Sequence, residues 1–273
     1  MEEKSMDNNN EKINDEEFEY KNRMVAFIDI LGFKDIVNES KDKCQIIKEI
    51  IEAMDLAKDI KKLAELMKKA YIVDENNDKH KIDMQLTLFS DSVIISINDD
   101  KKIKTELYNA FFNNLKKLAY ALARRNFFLR GGITYGKLYH VENKCFGPAM
   151  NKAYALESTV ANYPRIVVDK KALEEINKLK EEYVITDKID SIEILDYLYM
   201  KIYSCISSEN KDESAEYLKS LLEIKNNVEK NILKFKDRDN EKLLIKYQWY
   251  KNYYNDTIQK ILPSEQKDEF LIK

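Results

Sequence analysis

Two aspartates stand where a carboxylate in this sequence could bind a cation. Asp29 follows the apolar run "MVAFI", and Asp91 lies in "SDS" between the β-rich runs "MQLTLF" and "VIISI". A carboxylate at the end of a buried strand is costly unless a cation meets it. Alone, each aspartate is typical of a turn or a helix cap. If both lie at neighbouring strand ends, their mutual repulsion favours a divalent metal ion between them.

Glycine is rare in this chain and falls in stretches that are typical of strand ends and turns. The five glycines are Gly32, Gly131, Gly132, Gly136 and Gly147. Gly32 comes three residues after Asp29 and precedes a predicted helix, whose free N–H groups could face a phosphate. The other glycines predict tight turns or close backbone approaches, and turns alone would explain the pattern almost as well.

Alternating strands and helices must position these residues. The periodicity predicts a strand over 24–30, a helix over 39–69, a hairpin with Asp91 at its tip, and a helix over 102–125. "FFLRGGITYGKLYHV" predicts a strand, a tight approach at the glycine pair and a further strand. The order predicts an α+β fold, a ferredoxin-like sandwich with a mainly antiparallel sheet and helices on one face. The first strand and the hairpin can then lie side by side, which would bring Asp29 and Asp91 together.

The sequence also predicts three regions along the chain. Residues 1–20 form an acidic leader, 21–198 a catalytic domain, and 199–273 a helical C-terminal extension that carries Trp249, the single tryptophan. The leader lacks the basic and apolar regions of a signal peptide, and no apolar run has the length of a membrane span.

Composition argues against several classes of partner and cofactor. The chain has 46 basic and 49 acidic side chains, a formal charge of -3, which gives no global reason to expect nucleic acid or a membrane as partner. Three separated cysteines and two histidines indicate neither a disulfide framework nor a zinc site. The expected setting is therefore the cytoplasm. His80 and His140 have no neighbouring nucleophile in the sequence, so we expect no catalytic role for them.

Four segments in order carry a resemblance to a known family. "FIDILGF", "LFSDSVIIS", "RGGITYGKLYH" and "CFGPAMNKAYALE" resemble the ordered signature of class III nucleotide cyclases, over about 24–169. The resemblance implies a homodimer with active sites at the interface and two divalent metal ions, Mg or Mn. It implies that Asp29, Asp91 and the Ile30 carbonyl bind the metals. Asn151 would reach across the interface to the ribose and the reacting phosphate.

The same resemblance suggests how the nucleoside triphosphate binds. Backbone N–H groups of Gly32 and Phe33 would bind its phosphates. Arg130 is a candidate phosphate-side cation, although a strand-end arginine paired with a nearby carboxylate is expected at least as often. Three residues are candidates for the base pocket: Thr87, Phe89 and Lys144. For Phe89, plain core packing is the favoured interpretation.

Departures from the family pattern bear on activity and substrate. Ala155 stands where the family usually has an arginine that stabilises the α-phosphate. Thr87 and Lys144 stand near positions where purine-specific members carry a lysine and an aspartate or threonine. With these departures the chain resembles the pyrimidine cyclases of bacterial Pycsar antiphage systems.

The resemblance therefore predicts conversion of UTP or CTP to a 3',5'-cyclic monophosphate and pyrophosphate. A separate effector that binds the cyclic nucleotide would read this product as a signal in antiphage defence. A purine cyclase and a catalytically idle nucleotide-binding sensor are the alternatives. Ala155 favours the idle sensor, and the presence of both Asp29 and Asp91 speaks against it.

Overall fold

A computed structural model of the chain describes residues 19–67, 70–199, 211–238 and 240–273. Except for residues 19 and 20, the predicted leader lies outside the described residues. The predicted boundary at 198/199 adjoins residues 200–210, which also lie outside them.

The described residues contain ten strands and nine α-helices. The strands are β1 (Lys21–Ile30), β2 (Tyr71–Val73), β3 (Lys79–Lys81), β4 (Met84–Phe89), β5 (Ser92–Asn98), β6 (Leu129–Val141), β7 (Lys144–Phe146), β8 (Ile166–Val168), β9 (Val184–Thr186) and β10 (Glu193–Leu195). The helices are α1 (Phe33–Ser40), α2 (Cys44–Met67), α3 (Lys104–Arg124), α4 (Pro148–Thr159), α5 (Lys170–Glu175), α6 (Lys180–Tyr183), α7 (Lys211–Asp237), α8 (Glu241–Ile261) and α9 (Ser264–Phe270).

One large sheet organises the chain. Its strand order is β4-β5-β1-β6-β8-β10-β9, with β7 paired to the outer end of β6. The β6–β8 pair is parallel, and the other paired strands of the sheet are antiparallel. The predicted α+β fold with a mainly antiparallel sheet and a helical C-terminal extension is confirmed.

The central strand β1 is buried on both faces, so the prediction of helices on one face was wrong. Met24, Ala26 and Ile28 belong to the main core, which includes the apolar side of α3. The alternate residues Val25 and Phe27 pack in a second cluster that includes apolar residues of α4. The run "MVAFI" is apolar at every position, and a strand of that kind needs cover on both faces.

The glycine pair in β6 allows close packing without interrupting the strand. We predicted two strands here, but β6 is a single strand through both glycines. A Cβ on Gly131 would lie 2.6 Å from the Phe27 carbonyl oxygen, and one on Gly132 would lie 2.6 Å from that of Ala153. The glycines therefore let β1 and α4 approach β6 closely, as the sequence predicted.

The C-terminal helices pack on the rest of the fold through aromatic side chains. Phe128 makes an edge contact with Tyr250 of α8, at 4.7 Å between ring centroids. Trp249 stacks on Tyr163 at 5.5 Å. No helix among the described residues is long and apolar enough to cross a membrane.

Candidate active site

The two aspartates meet at one end of the sheet, as predicted. Asp29 is the penultimate residue of β1 and pairs in register with Ser92 at the start of β5. Asp91 precedes Ser92 in the turn that joins β4 and β5. Ser90 in this turn has a φ of 54°, which lets a very short loop reverse the chain. The hairpin thus places the Asp91 carboxyl close enough to Asp29 to affect its pKa.

The Asp29 carboxyl lies in an environment that disfavours its charge. Burial, followed by the hydrogen bond and charge of Asp91, raises the pKa of Asp29 to about 7. Arg130, opposite Asp29 on β6, acts in the other direction and places Nη2 3.1 Å from Asp29 Oδ2. Ser92 Oγ donates a weak hydrogen bond of 3.4 Å to Asp29 Oδ1. One arginine therefore does not offset the burial and the second carboxyl.

This donor set fits a hard divalent cation. Mg²⁺ and Mn²⁺ prefer carboxylate and carbonyl oxygens, and the paired carboxyls of Asp29 and Asp91 provide such oxygens together with excess negative charge. Ile30, the predicted carbonyl ligand, is the last residue of β1 and has a buried side chain. The three predicted metal-binding residues thus lie at one strand end and the adjoining hairpin.

The predicted phosphate-binding turn directly follows β1. Gly32 has a φ of 71°, and no atom lies within 4 Å of the position that a Cβ would take, so backbone conformation rather than space favours glycine there. Its carbonyl oxygen accepts from the N–H groups of Asp35 and Ile36, which begins α1. The first N–H groups of a helix lack intrahelical partners, and here Phe33 carries the first of them.

The base-pocket candidates lie on β4 and the β6–β7 hairpin. Thr87 is buried, and its hydroxyl donates to the Glu142 carbonyl oxygen at 3.0 Å. Lys144, exposed at the start of β7, is two residues beyond Glu142. Phe89 is 77% exposed, so the favoured interpretation of core packing was wrong. The turn after Phe89 ends its strand, and no core element covers this position.

Sequence reasoning missed that His140 belongs to this region. Its Nε2 lies 3.0 Å from Thr87 Oγ1 and its Nδ1 lies 2.8 Å from Ser96 Oγ. Arg23 Nε donates to the same Ser96 hydroxyl at 2.8 Å. Because Thr87 donates to a carbonyl, it accepts from His140, which places the imidazole proton on Nε2. Period-two alternation along β6 puts His140 on the same face as the buried Leu138, and this pattern could have predicted that His140 is buried.

Asn151 and Ala155 are one helical turn apart on α4, and both are exposed. Among the described residues, no hydrogen bond or ion pair links the Asn151 side chain to Asp29 or Asp91. The structure of one chain therefore brings the metal candidates together and leaves Asn151 on an open surface of α4.

Arg130 contacts a second carboxylate that the sequence did not reveal. Its Nε lies 2.7 Å from Glu157 Oε1, near the end of α4. Glu157 is 3% exposed, and burial raises its pKa against the lowering effect of Arg130. Lys246 of α8 is half-buried nearby: burial and then the charge of Arg130 lower its pKa, while Glu157 raises it. The end of the sheet thus carries alternating charges that extend to the C-terminal helices.

Another carboxylate group lies apart from this site, around β2 and β3. Ligand atoms of Asp74, Asp78 and His80 lie within 4.8 Å of one another. Lys102 Nζ lies 3.0 Å from Asp78 Oδ2, and the hydrogen bonds that the protonated His80 donates to Asp100 and Asp74 raise its pKa. Because a lysine and a histidine already partner these carboxylates, the group has less excess negative charge than the Asp29 pair.

No protein family model matches the sequence, and no curated protein matches it. Solved structures are similar at low identity. The monomeric guanylyl cyclase domain of the RhoGC fusion protein from the aquatic fungus Blastocladiella emersonii is 14% identical, with a TM-score of 0.42, over 64% of this chain and 94% of that one.

Two further structures give similar values. The guanylyl cyclase Cya2 is 12% identical, with a TM-score of 0.39, over 64% of this chain and 91% of that one. The catalytic core of a rhodopsin-guanylyl cyclase with converted specificity, in complex with ATPαS, is 15% identical, with a TM-score of 0.40, over 65% of this chain and 96% of that one. At these values, an activity for this chain has to be argued from its own residues.

Proposed function

We propose that this chain is a nucleotidyl cyclase that converts a nucleoside triphosphate to its 3',5'-cyclic monophosphate and pyrophosphate. The observation that carries the proposal is the pair Asp29 and Asp91, held together at the end of a buried strand and followed by the left-handed turn at Gly32. Carboxylates for metal ions and free helix N–H groups for phosphates are what an intramolecular phosphoryl transfer requires.

Asp29, Asp91 and the Ile30 carbonyl would hold two Mg²⁺ or Mn²⁺ ions. When bound, such ions lower the pKa of the ribose 3'-hydroxyl and neutralise charge on the triphosphate. The N–H groups of Gly32 and Phe33 would orient the β- and γ-phosphates. The new bond joins the 3'-oxygen to the α-phosphorus, and the bond from the α-phosphorus to the pyrophosphate oxygen breaks. The protein mainly positions these groups.

The proposed active unit is a homodimer. Asn151 is exposed on α4, which is consistent with a contribution to the ribose in the partner's site. Ala155 on the same surface cannot supply positive charge, so Arg130 is the cation that the described residues place against Asp29. No nucleic acid or membrane enters this scheme.

The finer proposal is a pyrimidine substrate, UTP or CTP. It rests on Thr87 and Lys144, which lie on adjoining segments where purine-specific cyclases carry different residues. A cyclic pyrimidine nucleotide would then act as a cytoplasmic signal, read by a separate effector in antiphage defence. A purine substrate fits the metal and phosphate residues equally well.

Incubation of the full chain with ATP, GTP, CTP and UTP separately, in Mn²⁺ and in Mg²⁺, tests both levels by mass spectrometry of cyclic products. We expect a cyclic pyrimidine product that falls at least about 100-fold in Asp91→Ala, because removing a metal ligand removes transition-state charge stabilisation. Asp78→Ala is the matched control, since it removes a carboxylate from the other acidic group, and should keep activity.

A cyclic purine product would retain the cyclase and overturn the pyrimidine proposal. Nucleotide binding without any cyclic product, in a protein shown to be dimeric, would favour the idle sensor. Activity that survives Asp91→Ala and is lost in Asp78→Ala would contradict the proposed metal site and indicate the group around Asp78 instead.

A further inference from the structure

Arg130 lies between a carboxylate of the proposed metal site and a carboxylate behind it. Its Nη2 lies 3.1 Å from Asp29 Oδ2 and its Nε 2.7 Å from Glu157 Oε1. Arg130 is 29% exposed, whereas Glu157 is only 3% exposed. One guanidinium thus contacts a residue that would bind metal and a buried residue that would not.

The contact with Glu157 is close but not formed as a hydrogen bond. Arg130 Nε and Glu157 Oε1 are both buried, and neither has a hydrogen-bond partner of acceptable geometry despite their short separation. Buried polar atoms in folded proteins are nearly always hydrogen-bonded. The two atoms meet at ion-pair distance without hydrogen-bond geometry, so a rotation of the guanidinium would let Nε donate to Glu157.

Packing identifies Arg130 as the side that moves. Glu157 belongs to α4, whose backbone lies against Gly132 so closely that a Cβ there would be 3.3 Å from the Glu157 nitrogen. Arg130 has a long side chain and partial exposure, so it can change partners without a backbone shift. Glu157 is a fixed acceptor in this arrangement.

We propose that Arg130 exchanges partners when metal binds: it bridges Asp29 and Glu157 in the metal-free protein and pairs with Glu157 alone when Asp29 and Asp91 hold a cation. The inference rests on the proposed metal site. A divalent ion at Asp29 would occupy its oxygens and repel the guanidinium, which would then keep Glu157 as its carboxylate partner. Glu157 is a positioning residue that makes room for the metal while keeping the arginine beside the site.

The C-terminal extension is adjacent to this exchange. Lys246 of α8 is near enough to Glu157 and Arg130 for each charge to affect its pKa. Its charge favours the ionised form of Glu157 in addition to the charge of Arg130.

Calorimetric titration of the full chain with Mn²⁺ alone tests the exchange. We expect Glu157→Gln to weaken Mn²⁺ binding about tenfold, a coupling within the usual range for linked sites. Glu157→Asp should recover part of the loss. In an Arg130→Met background the Glu157→Gln change should alter affinity less than about twofold, because no arginine then needs the acceptor.

Two results would overturn the inference alone: equal Mn²⁺ affinity for the wild type and Glu157→Gln, or an equal loss in both backgrounds, which would indicate a general charge effect. Absence of Mn²⁺ binding by the wild type would overturn the metal site itself. Asp91→Ala, which lacks a proposed ligand, gives the titration expected without that site.

A measurement on the wild type avoids dependence on variants that fail to fold. The NMR signal of Arg130 Nε–H, assigned by its loss in Arg130→Met, should move as Mg²⁺ is added and Nε begins to donate to Glu157. An unchanged signal at saturating Mg²⁺ would contradict the exchange.

Discussion

Arg130 and Arg165 are each placed between two carboxylates, and the two sites differ in how well the carboxylate charges are matched by donors. Arg165 is fully buried, pairs with Asp187, and donates to both oxygens of Asp190 at 2.8 and 2.6 Å. Trp249 Nε1 also donates to Asp187, at 2.8 Å. The hydrogen bond with Arg165 lowers the pKa of Asp190. Each carboxylate here has a fixed donor.

The site around Arg130 also has one arginine between two carboxylates, but the carboxyl pKa values shift in the opposite direction. Burial raises the pKa of both Asp29 and Glu157, and Asp91 adds to the effect in each case. The negative charge exceeds what one arginine can offset. The comparison teaches that carboxylates matched by donors hold the fold together, whereas carboxylates with excess negative charge are where a cation can bind.

Removal of each arginine should give the largest difference in stability between the two sites. Arg165→Met leaves Asp187 buried without its cation, so we expect a loss of about 3–5 kcal/mol in the free energy of unfolding. Arg130→Met should cost less than about 2 kcal/mol, because the raised pKa of Asp29 favours its neutral form at pH 6.5 and Lys246 still acts on Glu157. Urea denaturation of both variants at pH 6.5 measures the difference.

If both substitutions cost the same free energy, the two clusters would have the same structural role. A change of the denaturant slope would show that a variant no longer unfolds as the wild type does. For Arg165→Met, thermal unfolding gives an independent measurement.

Asp91→Asn should sharpen the comparison through its pH dependence. The folded protein keeps the Asp29 proton to about pH 7, while an unfolded aspartate loses it near pH 3.9, so stability falls as pH rises between these values. The substitution removes the repulsion that contributes to this shift. We expect the variant to be about 1 kcal/mol more stable than the wild type at pH 8, since one pKa unit is worth about 1.4 kcal/mol.

The difference should disappear at pH 5, where Asp29 is protonated in the folded wild type. Unfolding free energies of the two proteins at pH 5, 6.5 and 8 provide the measurement. A gain of the same size at all three values would mean that Asp91 acts through packing instead of charge.

The sequence predicted the part of the site that local pattern encodes. Asp29 ends an apolar run, Asp91 lies between two β-rich runs, and antiparallel pairing of neighbouring segments is enough to bring them together. Glu157 is distant from Arg130 in sequence, and its position depends on how closely α4 packs against Gly132. No local pattern encodes that distance, so the contact of Glu157 with Arg130 could not be predicted.

The same reasoning explains the error over the helices. The apolar run of β1 indicated a buried strand without showing which element covers each face. Phe89 shows the reverse limit, since an aromatic residue in a strand is expected in the core, yet the strand ends here beside an open hairpin.

The smallest expected effect concerns Glu39, which has two ionic partners but is more exposed to solvent than the carboxylate Asp187 beside Arg165. Glu39 of α1 pairs with Lys234 at 2.9 Å and Arg238 at 2.5 Å, both on the C-terminal side of the chain. Burial raises the pKa of Glu39, but these two cations outweigh it and lower the pKa overall. The ion pairs of Glu39 should therefore stabilise the protein above the pKa of an unfolded glutamate. This stabilisation should be lost as pH falls through the lowered pKa of Glu39 in the folded protein.

Glu39→Gln should reduce the free energy of unfolding by about 0.5–1 kcal/mol at pH 7, because solvent screens the cluster. The loss should shrink in 1 M salt, where charges are screened within about 3 Å. Glu52→Gln, on an exposed position of α2, is the matched control for removal of one surface charge. A loss as large as that of Arg165→Met would show that the number of ionic partners determines the loss in the free energy of unfolding. A small, salt-sensitive loss would show that burial determines it.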